Sequence, residues 1–173
     1  MASTPVFSVI IPVFNKWELT AQCLKSLHRT TTAIPFEVIV VDNASCDATV
    51  TELDTLGHAL FHDAFRSIHL PENINFGPAC NLAAKEAAAN LLFFLNNDTI
   101  ATHRWVNPLL STLEQETSVA AVGPLLLYAN DTVQHVGVAF SCRHLLHIYQ
   151  HFPSDHPVIA KRRSVQTLTA AAI

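Results

Sequence analysis

Three short polar segments contain the side chains that are best suited to bind a ligand. They are residues 42–45, 73–77 and 96–98, and each follows an apolar run. In the first segment, the carboxylate of Asp42 can accept the imide N–H of uracil or thymine, a donor that cytosine lacks. A loop aspartate can equally cap the helix that follows it, and position alone does not decide between these roles.

The third segment, Asn96-Asn97-Asp98, has the ligand chemistry of a hard divalent cation. One carboxylate beside carboxamides can hold Mg²⁺ or Mn²⁺ when a diphosphate supplies the remaining oxygens. Turns are also rich in Asn and Asp, and the three residues taken alone favour that interpretation.

The middle segment precedes a predicted helix that has Pro78 in its first turn. Gly77 permits close backbone approach, and a helix N-terminus favours a negatively charged group, although an ordinary loop would look the same. The chain has no G-x-G-x-x-G and no G-x-x-x-x-G-K motif. Their absence argues against a dinucleotide enzyme and a P-loop NTPase.

Histidine and cysteine are present but do not form a recognisable metal motif. His144, His147 and His151 have helical spacing and would suit zinc if a helix formed there. The nearby Pro153 and Pro157, and the lack of an accompanying cysteine, favour surface or acceptor-side histidines instead. The remaining histidines are scattered, and the four cysteines have no CxxC pair, so we assign them no chemistry.

The apolar runs alternate with helical patterns along the first 122 residues. Strands are predicted at residues 6–12, 36–41, 65–70, 91–95 and 119–122. Helices are predicted from Trp17 towards Pro35, and at 50–60, 78–89 and 104–116. This order predicts a doubly wound α/β sheet, whose ligands lie at the carboxyl ends of its strands.

Several polar residues are predicted to begin or end these helices. Asn15 with Glu18 forms a candidate capping box, Ser45 is a candidate N-cap, and Asp47 is placed as a charge at a helix start. Asn90 is expected to end a helix in a left-handed conformation. Beyond residue 124 the pattern predicts a hairpin over 125–140, no clear period over 144–163, and a further element at 167–173.

Composition restricts the class of protein. Only 14% of the 173 residues are charged and 50% are apolar, which suggests one domain that is incomplete or that forms a homo-oligomer. A net charge of -4 provides no basic surface for nucleic acid. The N-terminus lacks the features of a signal peptide and no apolar run is long enough to span a membrane, so we expect a cytoplasmic protein.

Four motifs taken together carry a resemblance to a known family. They are residues 8–15 (SVIIPVFN), 40–49 (VVDNASCDAT), 75–77 (NFG) with Asn81, and 94–99 (FLNNDT). In order and spacing they resemble family 2 glycosyltransferases of the GT-A fold, a Rossmann-like, mostly parallel sheet flanked by helices. The resemblance weakens after Gly123, where residues 134–137 and 165–171 still look like relatives that build bacterial surface polysaccharides.

The resemblance implies a role for each motif. Residues 1–99 would form the nucleotide-sugar-binding half of one domain, and residues 100–173 the beginning of its acceptor-binding half. Asp98 would bind Mn²⁺ or Mg²⁺ as the last residue of the family's DxD motif, whose first carboxylate is replaced here by Asn96. The implied substrate-binding residues are Pro12, Phe14, Asn15, Asp42, Asn43, Ser45, Asn75, Gly77, Asn81 and Asn97.

The same resemblance implies the reaction. Such enzymes transfer a sugar from a nucleotide-diphosphate donor, here a UDP- or dTDP-sugar, to a saccharide or lipid-linked saccharide with inversion, at the inner face of the membrane in some cases. Their catalytic base would lie beyond Ile173, because neither Asp131 nor Asp155 matches its position, so we expect a truncated domain.

Two other functions remain as alternatives at this point. One is a non-catalytic nucleotide-sugar-binding or interaction module. The other, a nucleotidyltransferase, is disfavoured because Pro12-Val13-Phe14-Asn15 replaces the glycine- and lysine-rich phosphate loop that would follow its first strand.

Overall fold

The structure is a computed structural model that describes residues 4–31, 33–142 and 144–173. Residues 1–3, on which part of the expectation about a signal peptide rests, lie outside the described residues. The chain divides into two compact units, Met1–Val106 and Asn107–Ile173. Within the described ranges, no helix has the length and apolar character needed to cross a membrane.

The first unit alternates strands and helices. The elements are β1 (Phe7–Val13), α1 (Trp17–Thr30), β2 (Phe36–Asp42), α2 (Thr49–Phe61), a 3-10 turn (His62–Ala64), β3 (Phe65–His69), α3 (Phe76–Glu86) and β4 (Leu91–Phe94). The strands form one parallel sheet in the order β3-β2-β1-β4. The chain therefore builds outwards from β1 on one side and then crosses to its other side, as in a doubly wound sheet.

The helices cover both faces of this sheet. On one face, Ala79 and Ala83 of α3 pack against Ile10, Ile39 and Val41. Side chains alternate along a strand, so Phe36 points to the opposite face, where its ring meets Phe61 of α2. Strands that are buried on both faces need continuous apolar sequence, which explains the unbroken runs of β1 and β2.

A polar cluster joins the strands near their amino ends. Glu37 is only 7% exposed, and its carboxylate accepts hydrogen bonds from the Ser8 hydroxyl, from the Arg66 guanidinium at 2.9 Å and from the Ala88 amide at 2.6 Å. Burial acts to raise the pKa of Glu37, but these three donors outweigh it and lower the pKa. The cluster lies at the amino ends of the strands, and the predicted ligand site lies at their carboxyl ends.

The helix ends differ from the sequence predictions. The N-cap position of α1 is Lys16 and that of α2 is Ala48, and neither cap makes a side-chain hydrogen bond, so the capping box at Asn15 and the N-cap at Ser45 are wrong. The side chains of Asn15 and Ser45 instead form hydrogen bonds with a neighbouring loop. Helix α3 ends at an extended Ala87, which corrects the left-handed ending predicted at Asn90.

Helix α4 (Val106–Gln115) begins at the last residue of the first unit and continues in the second. The second unit also contains the short strands β5 (Leu126–Leu127), β6 (Val133–His135), β7 (Val138–Phe140) and β8 (Leu145–His147). The predicted hairpin is present as the antiparallel pair β5–β6, and β7 pairs with β8. No strand forms at the predicted 119–122. The three histidines predicted at helical spacing lie instead on β8 and in the turns beside it, so the helix that zinc would have required is not there.

Candidate functional site

The carboxyl ends of β2, β1 and β4 bring the predicted site residues together. These strands are neighbours in the sheet, and β4 extends to the side of β1 away from β2. The strand order therefore reverses between β1 and β4, and open α/β sheets bind ligands at the carboxyl ends of the strands beside such a point. The loops that follow all three strands lie at this carboxyl end of the sheet, as the sequence predicted.

The loops after β1 and β2 are bonded to each other. The Asn15 amide donates to the Ser45 hydroxyl at 2.7 Å, and the Asn15 carboxamide oxygen accepts from the Cys46 amide at 2.8 Å. Asp47 adds a further link, since its carboxylate accepts from the amides of Trp17 and Thr49, both at 3.0 Å. These contacts explain why Asn15 and Ser45 are not helix caps.

The site loops contain non-glycine residues in the left-handed region. Asn15, Lys16, Ala44 and Asn75 have φ values of 57°, 60°, 65° and 69°. Such conformations are uncommon for residues other than glycine and cluster at ligand-binding sites, where neighbouring contacts hold them. The hydrogen bonds between the two loops provide that restraint at Asn15.

Asp42 lies at the end of β2 with its side chain only 4% exposed. Its Oδ1 accepts from the Ser45 amide at 2.9 Å, and its Oδ2 lies 3.1 Å from Nδ1 of His69. Each carboxylate oxygen has two lone pairs, so each retains one for a ligand. Asp42 therefore does not cap the helix that follows it, whose N-cap position is Ala48; it stabilises its own loop and keeps acceptor capacity, and its role in base recognition stays a prediction.

His69 is a site residue that the sequence analysis missed. It ends β3, and its Nε2 lies 3.3 Å from both carboxylate oxygens of Asp54 on α2. Partial burial acts to lower the pKa of His69, but the hydrogen bonds to Asp42 and Asp54 outweigh it and raise the pKa. The sequence did contain a signal for His69, because Asp42 and His69 stand at the ends of consecutive strands.

Asn43 joins the first and middle segments. Its side chain is buried, and its carboxamide oxygen accepts from the Ile74 amide at 2.8 Å. Asn75 follows at the N-cap of α3, and Gly77 lies in the first turn, where no atom comes within 4 Å of a Cβ built on it. The start of α3 is therefore open on the side of Gly77.

The remaining predicted contacts differ in exposure. Phe14 is 50% exposed at the end of β1, whereas Pro12 is buried within that strand. Asn81 is exposed one turn into α3. Phe14 and Asn81 are therefore accessible to a ligand in this conformation.

The Asn96-Asn97-Asp98 segment follows β4. The Asn97 amide group donates to the Thr20 hydroxyl at 2.9 Å, which fixes the loop to α1. Asp98 is exposed, and within the described residues its carboxylate makes no hydrogen bond or ion pair. Among those same residues, no three His, Cys, Asp or Glu side chains gather around one point to hold a metal alone. One free carboxylate fits a cation whose other ligands come from a diphosphate.

The fold is a doubly wound α/β domain with its candidate site at the carboxyl ends of the strands, and comparison with known proteins gives its family. The Glycosyl transferase family 2 model matches residues 8–160, and the chain belongs to this family. Its sheet, flanked by helices, has the GT-A architecture that the sequence predicted.

Relatives of known name agree with this assignment. The O-antigen biosynthesis protein RfbC of Myxococcus xanthus is 35% identical over 136 residues, which are 78% of this chain and 10% of RfbC. S. aureus TarS in complex with UDP-GlcNAc is 25% identical with a TM-score of 0.55, over 64% of this chain and 32% of that one. The chain thus spans a third or less of these relatives.

A third likeness concerns the fold alone. The mannosyltransferase PcManGT from Pyrobaculum calidifontis, solved with GDP-Man and Mn²⁺, has a TM-score of 0.58 at 22% identity. The match covers 75% of this chain and 37% of the PcManGT chain. At that identity the likeness extends to the arrangement of strands and helices.

Proposed function

We propose that this glycosyltransferase domain binds a UDP- or dTDP-sugar together with Mn²⁺ or Mg²⁺. One observation carries the proposal: an acceptor carboxylate, Asp42, and an unpaired exposed carboxylate, Asp98, lie at the same edge of the sheet, beyond strands that flank β1. A nucleotide diphosphate needs one such group at its base and another near its phosphates.

Recognition of the base is assigned to Asp42. Its Oδ1 accepts from the Ser45 amide and its Oδ2 lies within hydrogen-bond distance of His69, so the carboxylate is oriented and has acceptor capacity left for an imide N–H. Asn43 and Ser45 hold the loop around it, while Phe14 and Asn15 border the nucleoside. The TarS complex with UDP-GlcNAc supports a uridine donor.

Binding of the diphosphate is assigned to Asp98 and the start of α3. Asp98 would hold the cation beside Asn97, and the cation would neutralise the charge of the leaving diphosphate. Asn75, Gly77 and Asn81 would border the phosphates and nucleoside, because the N-terminus of α3 favours a negatively charged group. The Mn²⁺ in the PcManGT complex supports a divalent metal in this fold.

The whole protein is proposed to transfer the sugar with inversion to a saccharide or lipid-linked saccharide in surface polysaccharide synthesis. The name of RfbC supports this pathway. Transfer by direct displacement requires a base at the acceptor hydroxyl. We assign that role to no residue of 1–173, since Asp131 and Asp155 are exposed turn residues that do not match the base of the resemblance.

Isothermal titration calorimetry tests the donor. UDP and dTDP should bind in the presence of Mn²⁺, and CDP and ADP should bind more weakly by about 1–3 kcal/mol, the cost of an unmade hydrogen bond. Equal affinity for UDP and CDP would remove Asp42 from base recognition. Equal affinity for UDP with and without metal would remove the metal from the proposal.

A non-catalytic nucleotide-sugar-binding module is the second candidate. Incubation of residues 1–173 with radiolabelled UDP-sugars and saccharide acceptors separates the two functions. Transfer at a rate typical of the family would place a base within these residues and exclude the module.

A further inference from the structure

The imidazole of His69 lies between two carboxylates. Nδ1 is 3.1 Å from Oδ2 of Asp42, and Nε2 is 3.3 Å from both oxygens of Asp54. Asp42 is nearly buried, whereas Asp54 and His69 have side chains that are 53% and 39% exposed. The ring therefore connects the proposed base-recognition carboxylate to the solvent-facing side of α2.

This arrangement depends on the protonation state of the ring. An ionised carboxylate only accepts hydrogen bonds, and neutral imidazole has a single N–H. Imidazolium has two, so it can donate to both carboxylates at once. When the ring is neutral, Asp42 and Asp54 compete for one proton, and a bare ring nitrogen faces whichever carboxylate loses.

The charged groups around His69 favour the doubly protonated ring. Asp42 approaches it from β2 and Asp54 from α2, where His58 lies one turn further along the helix. The Ser67 hydroxyl donates to Asp54, and Arg66 is paired with Glu37. In agreement, the hydrogen bonds of the two carboxylates outweigh partial burial and raise the pKa of His69.

We propose that His69, when doubly protonated, is a positioning residue that holds the Asp42 carboxylate for base recognition and thereby makes base selectivity depend on pH. This inference rests on the proposed function of Asp42. As pH rises and His69 loses a proton, its ring can donate a hydrogen bond to only one of the two carboxylates, Asp42 or Asp54 of α2. The preference for an imide-bearing base should fall with it.

The test is the ratio of UDP affinity to CDP affinity between about pH 6 and pH 8.5, a range in which histidine titrates. Both nucleotides carry the same diphosphate, so its own titration cancels in the ratio. We expect the ratio to fall about two- to tenfold across this range, the contribution of one hydrogen bond.

Variants of Asp54 and of His69 should have opposite effects on the ratio of UDP affinity to CDP affinity. Asp54→Asn removes the competitor and can donate to Nε2, so the neutral ring keeps its proton on Nδ1 and the ratio stays high at every pH. His69→Ala removes the donor to Asp42, so the ratio is low at every pH. His103→Asn changes an exposed histidine for which the described residues show no hydrogen bond, and it should keep the wild-type profile.

A structural measurement complements the binding data. In ¹⁵N NMR spectra of the ligand-free wild-type protein, both ring nitrogens of His69 should be protonated at the lower pH. A flat ratio in the wild type, or a ratio that falls in Asp54→Asn as it does in the wild type, overturns the positioning role while leaving UDP recognition intact. No preference for UDP at any pH overturns both this role and the proposed function of Asp42.

Discussion

The Asn15 amide donates to the Ser45 hydroxyl at 2.7 Å, and the Asn15 carboxamide accepts from the next residue, Cys46, at 2.8 Å. This pair of hydrogen bonds links two loops that are 30 residues apart in sequence. The position of one loop at the proposed donor site therefore depends on the other.

Replacement of Asn15 by alanine tests this coupling. The Cys46 amide loses its acceptor, so the free energy of unfolding should fall by about 1–2 kcal/mol and UDP affinity should fall with it. Urea denaturation and calorimetry measure the two effects. Asn90→Ala is the control, because Asn90 is exposed and bonded to no described residue. Unchanged UDP affinity in Asn15→Ala would contradict the coupling of loop order to binding.

Asp98→Asn should abolish the metal-dependent part of UDP binding and leave the fold intact, because the carboxylate is exposed and unpaired within the described chain. Asn96→Ala should have a smaller effect, since Asn96 contributes its main-chain carbonyl to the local hydrogen bonds. Calorimetry with and without Mn²⁺ measures both variants, and circular dichroism checks the fold. The metal site is misplaced if Asp98→Asn retains the metal dependence.

Gly77→Ala separates ligand approach from protein packing. Alanine at this helical position meets no atom within 4 Å and needs no positive φ, so stability should rise by about 0.5–1 kcal/mol. Nucleotide diphosphate affinity should nevertheless fall, because the methyl group occupies space proposed for the ligand. Thermal unfolding and calorimetry report the two quantities.

Gly57→Ala is the matched comparison. A Cβ at Gly57 would collide with the ring of Phe65, so this variant should lose stability rather than gain it. This clash with Phe65 would lie between α2 and β3, in the interior of the protein. If Gly77→Ala binds UDP like the wild type, the phosphates do not approach the start of α3.

Glu37→Gln tests the polar cluster at the opposite edge of the sheet. The folded-state pKa of Glu37 is lowered, so its contribution to stability is present above the unfolded pKa of about 4.3 and is lost as pH falls through the folded pKa. The variant should be less stable by about 1–3 kcal/mol at neutral pH, and its stability should fall less than that of the wild type on acidification.

Urea denaturation at neutral and acidic pH measures this difference. Glu72→Gln is the control, because Glu72 is exposed and makes no hydrogen bond within the part of the chain that the structure describes. Equal slopes of stability against pH for Glu37→Gln and the wild type would show that the cluster does not stabilise the ionised carboxylate.

The alternating order of strands and helices in the first unit follows from local sequence patterns. The apolar runs of β1 and β2 are continuous because parallel strands are buried on both faces, and that pattern is local. The loops that follow them could be placed at one edge for the same reason. The strand predicted at residues 119–122 is wrong, because four apolar residues in a row do not reveal whether a partner strand is available to pair with them.

The hydrogen-bond partners of the polar side chains in the site depend on how the strands and helices pack in the folded chain. Asn15 and Ser45 have the residue types of helix caps, but each meets a donor or acceptor from the other loop, which no local pattern can reveal. His69 looked like one of several scattered histidines. Parallel pairing of β2 with β3 places it opposite Asp42, and the packing of α2 brings Asp54 to its other nitrogen. Hydrogen-bond partners distant in sequence are set by strand order and helix packing, so the chemistry of this histidine exists only in the folded chain.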